Sequence, residues 1–233
     1  MLSSTDSSSR NRSRLKAGDR RDQLLDVLVQ VIRTEGFEQV TMARLADAAE
    51  VNPSLLMHHF GNKEKLMLAL VERTLQRYSE LFSEMPTQGS ARGRLVRVLG
   101  LMFGQRWMAT LHAPELFAML SIARRNPDVA QAVGRMYRGF HRVLTQELTL
   151  QQNEGTIRIA EPQQTARMLM ALIEGGHYFS EQVCADGKAD EQYQQQLVIH
   201  ALQMLCAGPL TREETVLLEN DSLAQEEALH AKH

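Results

Sequence analysis

Cysteine is scarce in this sequence of 233 residues. Cys184 and Cys206 are its two cysteines, and both lie in apolar helical patterns, which indicates buried free thiols; redox or metal sensing is the alternative. Long apolar runs are absent too, since none approaches the ~18 residues that a membrane span needs. The N-terminus is rich in serine and arginine and lacks the apolar segment of a signal peptide. We therefore expect a cytoplasmic protein with no membrane partner.

Enzyme motifs are also missing. The sequence has no Cys-x-x-Cys, His-Glu-x-x-His, phosphate-binding glycine loop or Gly-x-Ser-x-Gly turn. Its eight histidines offer no convincing metal site, because His58 and His59 are adjacent and cannot both point at one ion from a helix face. His230 and His233 have helical spacing but fall in a predicted tail. The sequence thus predicts no catalytic activity, no bound metal and no cofactor.

Helical periodicity is clearest between Thr41 and Leu66. Thr41 is a suitable N-cap for a short helix, and Asn52 followed by Pro53 is a typical start for a second one. The tight turn between them predicts a helix-turn-helix. The second helix turns Leu56 and Phe60 inward, and its outward residues are Ser54, Leu55, Met57 and His58.

The rest of the chain is also predicted to be helical, and no segment alternates as a strand does. Supporting helices flank the helix-turn-helix at 20–35 and 62–83, and later helices are expected at 91–109, 114–125, 127–152, 162–183 and 190–207. The predicted fold class is therefore all-α. We expect a helix-turn-helix domain at 20–66 and a helical effector-binding and dimerisation domain at 67–207.

The formal net charge of −2 conceals an uneven distribution. Residues 10–21 carry six bases against one acid, whereas residues 208–233 carry two bases against six acids. A local basic patch, not the total charge, attracts nucleic-acid phosphates. We interpret residues 1–19 as a disordered basic arm that can add salt-sensitive affinity for DNA, and residues 208–233 as an acidic tail or weak helix.

The region from Arg20 to about Glu72 resembles the N-terminal domain of TetR-family transcriptional regulators. The matching features are the arginine-rich lead-in, Glu-Gly-Phe after the first helix, T-x-x-x-L-A-x-x-A-x-V, and a short helix that ends in HHFGNKEKL. The resemblance implies an all-helical homodimer that binds a palindromic DNA operator and represses until a small effector binds. A helical ligand- or partner-binding protein whose helix-turn-helix no longer reads DNA is the alternative.

The residues that match the family's phosphate contacts are Thr41, His59 and Lys63, and Asn52 and Pro53 belong to the same helix start. Sequence readout is expected from Arg44, Ser54, Leu55, Met57 and His58. Two residues depart from the family pattern: Met57 replaces a usual tyrosine, and Glu50 replaces a common glycine in the turn. A non-glycine residue must therefore adopt any left-handed backbone conformation in that turn.

Methionine and aromatic residues on the middle and later helices suit an adaptable apolar pocket, although the same pattern is typical of plain core. The resemblance places the effector among these helices. We expect a largely hydrophobic effector with one or two polar groups, met by His112, His177 or Arg106. The effector-binding residues predicted are Met102, Phe103, Trp107, His112, Phe117, Met168, His177 and Tyr178.

The helices predicted at 162–183 and 190–207 are apolar over more than one face, which exceeds what one core contact requires. We therefore expect them to form a four-helix interface between two copies, as the resemblance also implies. The interface residues predicted are Leu169, Leu172, Ile173, Gly176, Leu197, Ala201, Met204 and Leu205.

Overall fold

The structure is a computed structural model that describes residues 5–85, 88–183 and 191–220, with side chains described from Asp19 onward except at 180–183 and 191. These residues form helices, and none of them lies in a strand, so the all-α prediction is confirmed. The helices are α1 (Thr5–Glu35), a 3-10 turn (Phe37–Gln39), α2 (Met42–Ala48), α3 (Pro53–Phe60), α4 (Lys63–Ser83), α5 (Ala91–Phe103), α6 (Gln105–Thr110), α7 (Ala113–Ala123), α8 (Pro127–Asn153), α9 (Pro162–Val183) and α10 (Glu191–Met204). Residues 212–220 are also helical.

The chain divides into two compact units. The first contains the residues up to Arg73 together with Pro114–Val133, and the second contains Thr74–Ala113 and the residues from Gly134 onward. The sequence pattern placed the border at Leu66 and gave 114–133 to the second domain. The difference arises because a sequence pattern shows which residues are neighbours along the chain, not which distant helix returns to pack on the first unit.

The first unit has a core of aliphatic residues from α1 to α4. Leu28, Leu45, Leu56 and Leu66 have no exposed surface, which shows that one face of each of these helices is fully buried. Charged residues on different helices are paired at its surface: the Arg73 guanidinium lies 2.7 Å from the Asp26 carboxylate. These contacts fix the helices on which the short α3 rests.

α1 begins at Thr5, so the described backbone of residues 5–19 is helical, whereas the sequence predicted a disordered arm over 1–19. Residues 5–19 contain no proline and one glycine, Gly18. Extending α1 by such residues has a small free-energy cost, because helix propagation costs far less than nucleation and α1 already has buried turns. Residues 1–4 lie outside the described part of the chain.

The single helix predicted over 91–109 is broken in two. Gly104 has an extended backbone, with φ −87° and ψ 170°, and it separates α5 from α6. A glycine lowers the cost of such an interruption because its own helix propensity is poor. Phe103 before the break and Trp107 after it are both buried in the core of the second unit.

Two features at the C-terminal end differ from expectation. Cys206 is exposed, with a left-handed backbone at φ 50°, so its prediction as a buried thiol is wrong; Cys184 lies outside the described residues. α10 ends at Met204, three residues before the predicted end, and Cys206 lies in the turn that follows. Leu218, which belongs to the predicted acidic tail, is buried. Its side chain lies so close to Gly100 that a Cβ on that glycine would be 2.5 Å from Leu218 Cδ2.

Candidate nucleic-acid interface and ligand cavity

The start of each short helix in the helix-turn-helix is fixed by its own side chain. The Thr41 hydroxyl accepts a hydrogen bond from the Arg44 backbone N–H at 3.0 Å, and the Asn52 side-chain oxygen accepts one from the Ser54 N–H at 2.9 Å. Pro53 occupies the first position of α3, where its missing N–H leaves no intrahelical bond unmade. The predicted caps are therefore confirmed, and they set where α3 begins.

α3 presents the two faces that the sequence predicted. Leu56 and Phe60 are buried, and the Arg21 guanidinium lies 5.4 Å from the centre of the Phe60 ring. The outward residues are Ser54, Met57 and His58, which are exposed, and Leu55, which is half-buried. Apart from Ser54 and His58, this outward surface is apolar, so few of its groups can form hydrogen bonds to base edges.

The turn between α2 and α3 contains the predicted non-glycine residue in the left-handed conformation. Glu50 has φ 52° and is exposed. An L-residue there brings its Cβ close to its own backbone, which costs of order 1 kcal/mol. The carboxylate of Glu50 adds a negative charge to the edge of the helix-turn-helix.

Replacing Glu50 with glycine is expected to raise the free energy of unfolding by about 0.5–1 kcal/mol. Relief of the left-handed strain outweighs the extra freedom that glycine gives the unfolded chain. Urea unfolding of the two proteins measures the difference. Glu50→Ala is the control, because it removes the carboxylate and keeps the strain; an equal gain in both variants would assign the effect to charge.

The positively charged residues predicted to contact DNA already have partners. The Arg44 guanidinium forms a two-point ion pair with Glu35, in which Nε lies 2.9 Å from the carboxylate. The Lys63 ammonium lies 4.1 Å from the centre of the Phe37 ring and donates to the Phe37 carbonyl at 3.4 Å. Burial lowers the pKa of Lys63. Burial also lowers the pKa of His59, and electrostatic interaction with His58, Arg21 and Arg20 acts in the same direction.

The second unit contains an aromatic cavity of about 240 Å³. Helices α4, α6, α8 and α9 contribute to it. The residues that line this cavity are Leu75, Tyr78, Ser79, Phe82, Trp107, Leu111, Met136, Tyr137, Gly139, Phe140, Arg142, Val143 and Glu174. Trp107 and Phe140 are almost completely buried, whereas Ser79 and Arg142 are exposed and mark the mouth.

Of the predicted effector-binding residues, only Trp107 lines the aromatic cavity. Met102, Phe103 and His177 are core residues, and the His177 ring donates a hydrogen bond from Nε2 to the Met102 carbonyl at 3.0 Å. His112 and Tyr178 are half-buried and do not line it, and Phe117 and Met168 are exposed. Arg106 pairs with Glu84 and does not line the cavity either. Helical spacing identifies a buried face of a helix without showing whether that face meets a neighbouring helix or a cavity.

Four residues that line the cavity were not among those predicted: Tyr78, Phe82, Phe140 and Glu174. A signal was present, since Tyr78 and Phe82 are four residues apart and so share one face of α4. Glu174 stood out as an acidic residue in the otherwise apolar middle of α9. Nothing in the sequence joined these residues to Trp107, because they belong to three helices, α4, α8 and α9, and Trp107 belongs to a fourth, α6.

Most of the predicted dimer-interface residues pack within their own chain. The fully or almost fully buried ones are Leu169, Ile173, Gly176, Leu197, Ala201 and Leu205, while Leu172 and Met204 are half-buried. The close approach expected at Gly176 is made by the same chain, since a Cβ there would lie 2.7 Å from the Leu197 side chain. Six of the eight residues predicted for the interface are therefore buried within one copy of the chain.

Among the described residues, no cluster of three or more His, Cys, Asp or Glu side chains could hold a metal ion. No helix in the described part of the chain combines the length and apolar character that crossing a membrane requires.

Two family models match the sequence. Residues 24–70 match the model described as bacterial regulatory proteins, tetR family, and residues 90–207 match the one described as tetracyclin repressor-like, C-terminal domain. The second match alone covers just over half of the chain.

Individual proteins with similar sequence or structure are transcriptional regulators. The HTH-type nicotine-responsive transcriptional repressor HdnoR of Paenarthrobacter nicotinovorans is 27% identical over 166 residues, which cover 70% of this chain and 84% of that protein. A transcriptional regulator from Saccharomonospora viridis in complex with choline superposes with a TM-score of 0.66 at 19% identity, covering 77% of this chain and 94% of that one. AibR in complex with isovaleryl coenzyme A and operator DNA gives a TM-score of 0.62 at 18% identity, covering 82% and 100%.

Proposed function

Because the chain belongs to the TetR family of bacterial regulatory proteins, it is a ligand-responsive transcriptional regulator, and we propose that it acts as a homodimeric repressor on a palindromic operator. Its target is double-stranded DNA, so it works in the cytoplasm. The observation that carries the proposal is α3, a short capped helix whose exposed face has no partner among the described helices of its own unit. An α-helix of this kind fits the major groove of B-DNA.

The proposed DNA contacts divide into two groups. Thr41, His59 and Lys63 position the domain on phosphates, and the outward residues of α3 touch base edges. Lys63 supports this assignment through its place at the first position of α4, where the positive end of the helix dipole adds to its own charge. Arg44 reads a base only if it leaves the Glu35 carboxylate, so we assign it a phosphate-side or structural role before a reading role.

An exposed apolar stripe on α9 supports the proposed homodimer. Met168 and Phe179 are 56% and 65% exposed, and the small residues Ala171 and Gly175 lie between them at helical spacing. Exposed apolar surface of this kind is costly in water and is typical of an interaction site. Small residues in its centre allow a second helix to approach closely. We therefore assign the interface to this face of α9 in place of the buried residues first expected.

The aromatic cavity is the proposed effector site. It is a largely apolar space of about 240 Å³ lined by a few polar groups, as small-molecule sites are. The relatives differ in the molecules they are named for or bound to, so the effector of this chain must be inferred from its own cavity. An effector releases DNA only if it binds one conformation of the dimer more tightly than the other.

Fluorescence anisotropy with DNA tests the proposal directly. Labelled fragments from beside the protein's own gene and a shuffled control are titrated at two salt concentrations. Tight, salt-dependent binding to one fragment over the control is the result expected of an operator-binding regulator. Equal weak binding to every fragment would favour the alternative, a helical ligand-binding protein that no longer reads DNA.

Replacing Lys63 with alanine is expected to lower the affinity of the protein for operator DNA and for random DNA by the same factor. The change removes one phosphate contact from each protomer, so the slope of log K against log salt should fall by about 2 for the dimer. Anisotropy titrations at several salt concentrations measure both quantities.

Lys65→Ala is the matched control, because it removes the same charge from an exposed position two residues further along α4. It should change the salt slope less than Lys63→Ala does. An equal change in both variants would mean that Lys63 acts only through general charge, and a loss confined to operator DNA would assign it a base contact.

A further inference from the structure

The wall of the aromatic cavity is built around Trp107. Its ring centre lies 4.6 Å from that of Tyr78, 4.8 Å from that of Phe140 and 5.7 Å from that of Phe82. The four rings come from α4, α6 and α8, and all four line the same space. A ring presents negative charge density over its face, so a group of rings around one cavity favours a positively charged guest.

Glu174 places a carboxylate in the same cavity. It is half-buried on α9, and it accepts hydrogen bonds from the hydroxyl of Tyr137 at 3.3 Å and from that of Tyr178. These partners are neutral, and in the described part of the chain Glu174 has no salt bridge with Lys or Arg. Burial raises the pKa of Glu174, which reports the cost of holding the charge there.

We propose that the cavity binds a small organic cation, a substituted or quaternary ammonium ion, with its charged head against the rings of Trp107 and Phe140 and beside the Glu174 carboxylate. This inference rests on the proposed function in that the cavity is taken to be the effector site. It specifies the chemical class of the effector, which neither the fold nor the family determines.

Size and desolvation both favour a cation over other ligands. An apolar cavity of about 150 Å³ can hold benzene, so 240 Å³ admits an ammonium ion with several carbon substituents. A neutral ligand would displace water from the Glu174 carboxylate and leave the charge uncompensated, whereas a cation compensates it. An anion would meet that carboxylate directly.

Among the described residues that line the cavity, Arg142 is the one with a cationic side chain, and it bears on the choice of ligand. It is exposed, so water screens its charge, and it lies at the mouth beside the exposed Ser79. Glu174 is the more buried of the two charged groups, so its electrostatic interaction with a ligand is screened less by water. The inner part of the cavity is therefore the part selective for positive charge.

Trp107 makes the test direct, because it is the single tryptophan of the chain and lines the cavity. Its fluorescence is titrated with choline, tetraethylammonium and benzyltrimethylammonium. The neutral counterpart is 3,3-dimethylbutan-1-ol, in which carbon replaces the choline nitrogen. We expect at least one ammonium ion to change the emission with at least 10-fold higher affinity than the neutral alcohol. Equal or stronger binding of the alcohol relative to all three ions would overturn the proposal.

Two variants separate the contributions. Glu174→Gln keeps a hydrogen-bond acceptor for the tyrosines and removes the charge, so cation affinity should fall at least 10-fold while affinity for the neutral alcohol stays the same. Phe140→Leu keeps apolar volume and removes a ring face, so it should lower cation affinity more than alcohol affinity. Unchanged thermal unfolding of Glu174→Gln shows that the fold is intact, and unchanged cation binding by that variant would contradict the proposal.

Anisotropy of labelled operator in the same samples distinguishes this inference from the proposed function. Ammonium binding that releases operator supports both. Ammonium binding with no effect on bound operator, or with no operator binding at all, supports the cation site and contradicts the effector role. Release of operator by other compounds, without ammonium binding at Trp107, supports the regulator and overturns the cation site.

Discussion

Replacing Ala171 with glutamate is expected to convert the protein from a dimer to a monomer and to lower its affinity for operator DNA at least 100-fold. Ala171 is exposed in the middle of the apolar stripe on α9, between Met168 and Gly175. A two-fold interface there would bury two carboxylates, one from each copy, with no opposite charge provided. A 100-fold weaker dimer corresponds to about 2.7 kcal/mol, less than burial of two unpaired charges typically costs.

Loss of the dimer is expected to lower the affinity for operator DNA because each protomer supplies one α3. Two linked reader helices bind two half-sites with an effective concentration that a single domain lacks, and this linkage typically raises affinity by 10²–10⁴. Light scattering at several protein concentrations measures the oligomeric state, and anisotropy measures operator affinity in the same samples.

Ala130→Glu provides the matched control, since Ala130 is an exposed helical alanine on α8 outside the stripe. It should leave both the dimer and the operator affinity unchanged. A stable dimer of Ala171→Glu with normal affinity would show that the copies meet through another surface. Monomers in both variants would point to a general effect of added negative charge.

The parts of the structure that the sequence predicted correctly depend on residues close together in the chain. Thr41 and Asn52 cap their helices through backbone N–H groups two or three positions away, so their chemistry can be read locally. Glu50 likewise occupies the turn position where the family commonly has glycine, and it adopts the left-handed backbone conformation. Leu56 and Phe60 face inward because a four-residue spacing keeps them on one side of α3.

The cavity could not be predicted in the same way. Tyr78, Phe140 and Glu174 come from α4, α8 and α9, and helical periodicity carries no information about which of these helices are neighbours. The same limit applies to the predicted interface. Leu169 and Ile173 are among the larger apolar residues of α9 and pack inside their own chain, whereas the exposed stripe contains Ala171 and Gly175. The more hydrophobic face of α9 was predicted to form the interface, but the larger apolar residues on that face are buried within one copy of the chain.

His177 is expected to make the second unit sensitive to acid. It is buried, and burial lowers its pKa to about 4, although the hydrogen bond to the Met102 carbonyl opposes the shift. The unfolded chain has a histidine pKa of about 6.5 and binds the proton first as the pH falls. The stabilising contribution of neutral His177 is therefore complete above pH 6.5 and decreases as the pH falls towards 4. At 1.36 kcal/mol per pKa unit, the loss between pH 7 and pH 4.5 is about 2–3 kcal/mol.

His177→Gln isolates this effect from all other groups that titrate in the same range. Glutamine can still donate a hydrogen bond to the Met102 carbonyl but does not bind a proton. Urea unfolding of both proteins at pH 7 and at pH 4.5 gives four free energies of unfolding. We expect the fall on acidification to be about 2–3 kcal/mol smaller in the variant than in the natural protein, because only the natural protein must keep a buried histidine neutral. The same fall in both would show that the histidine is protonated in the folded state, and hence that the contact between α9 and α5 at Met102 opens to water.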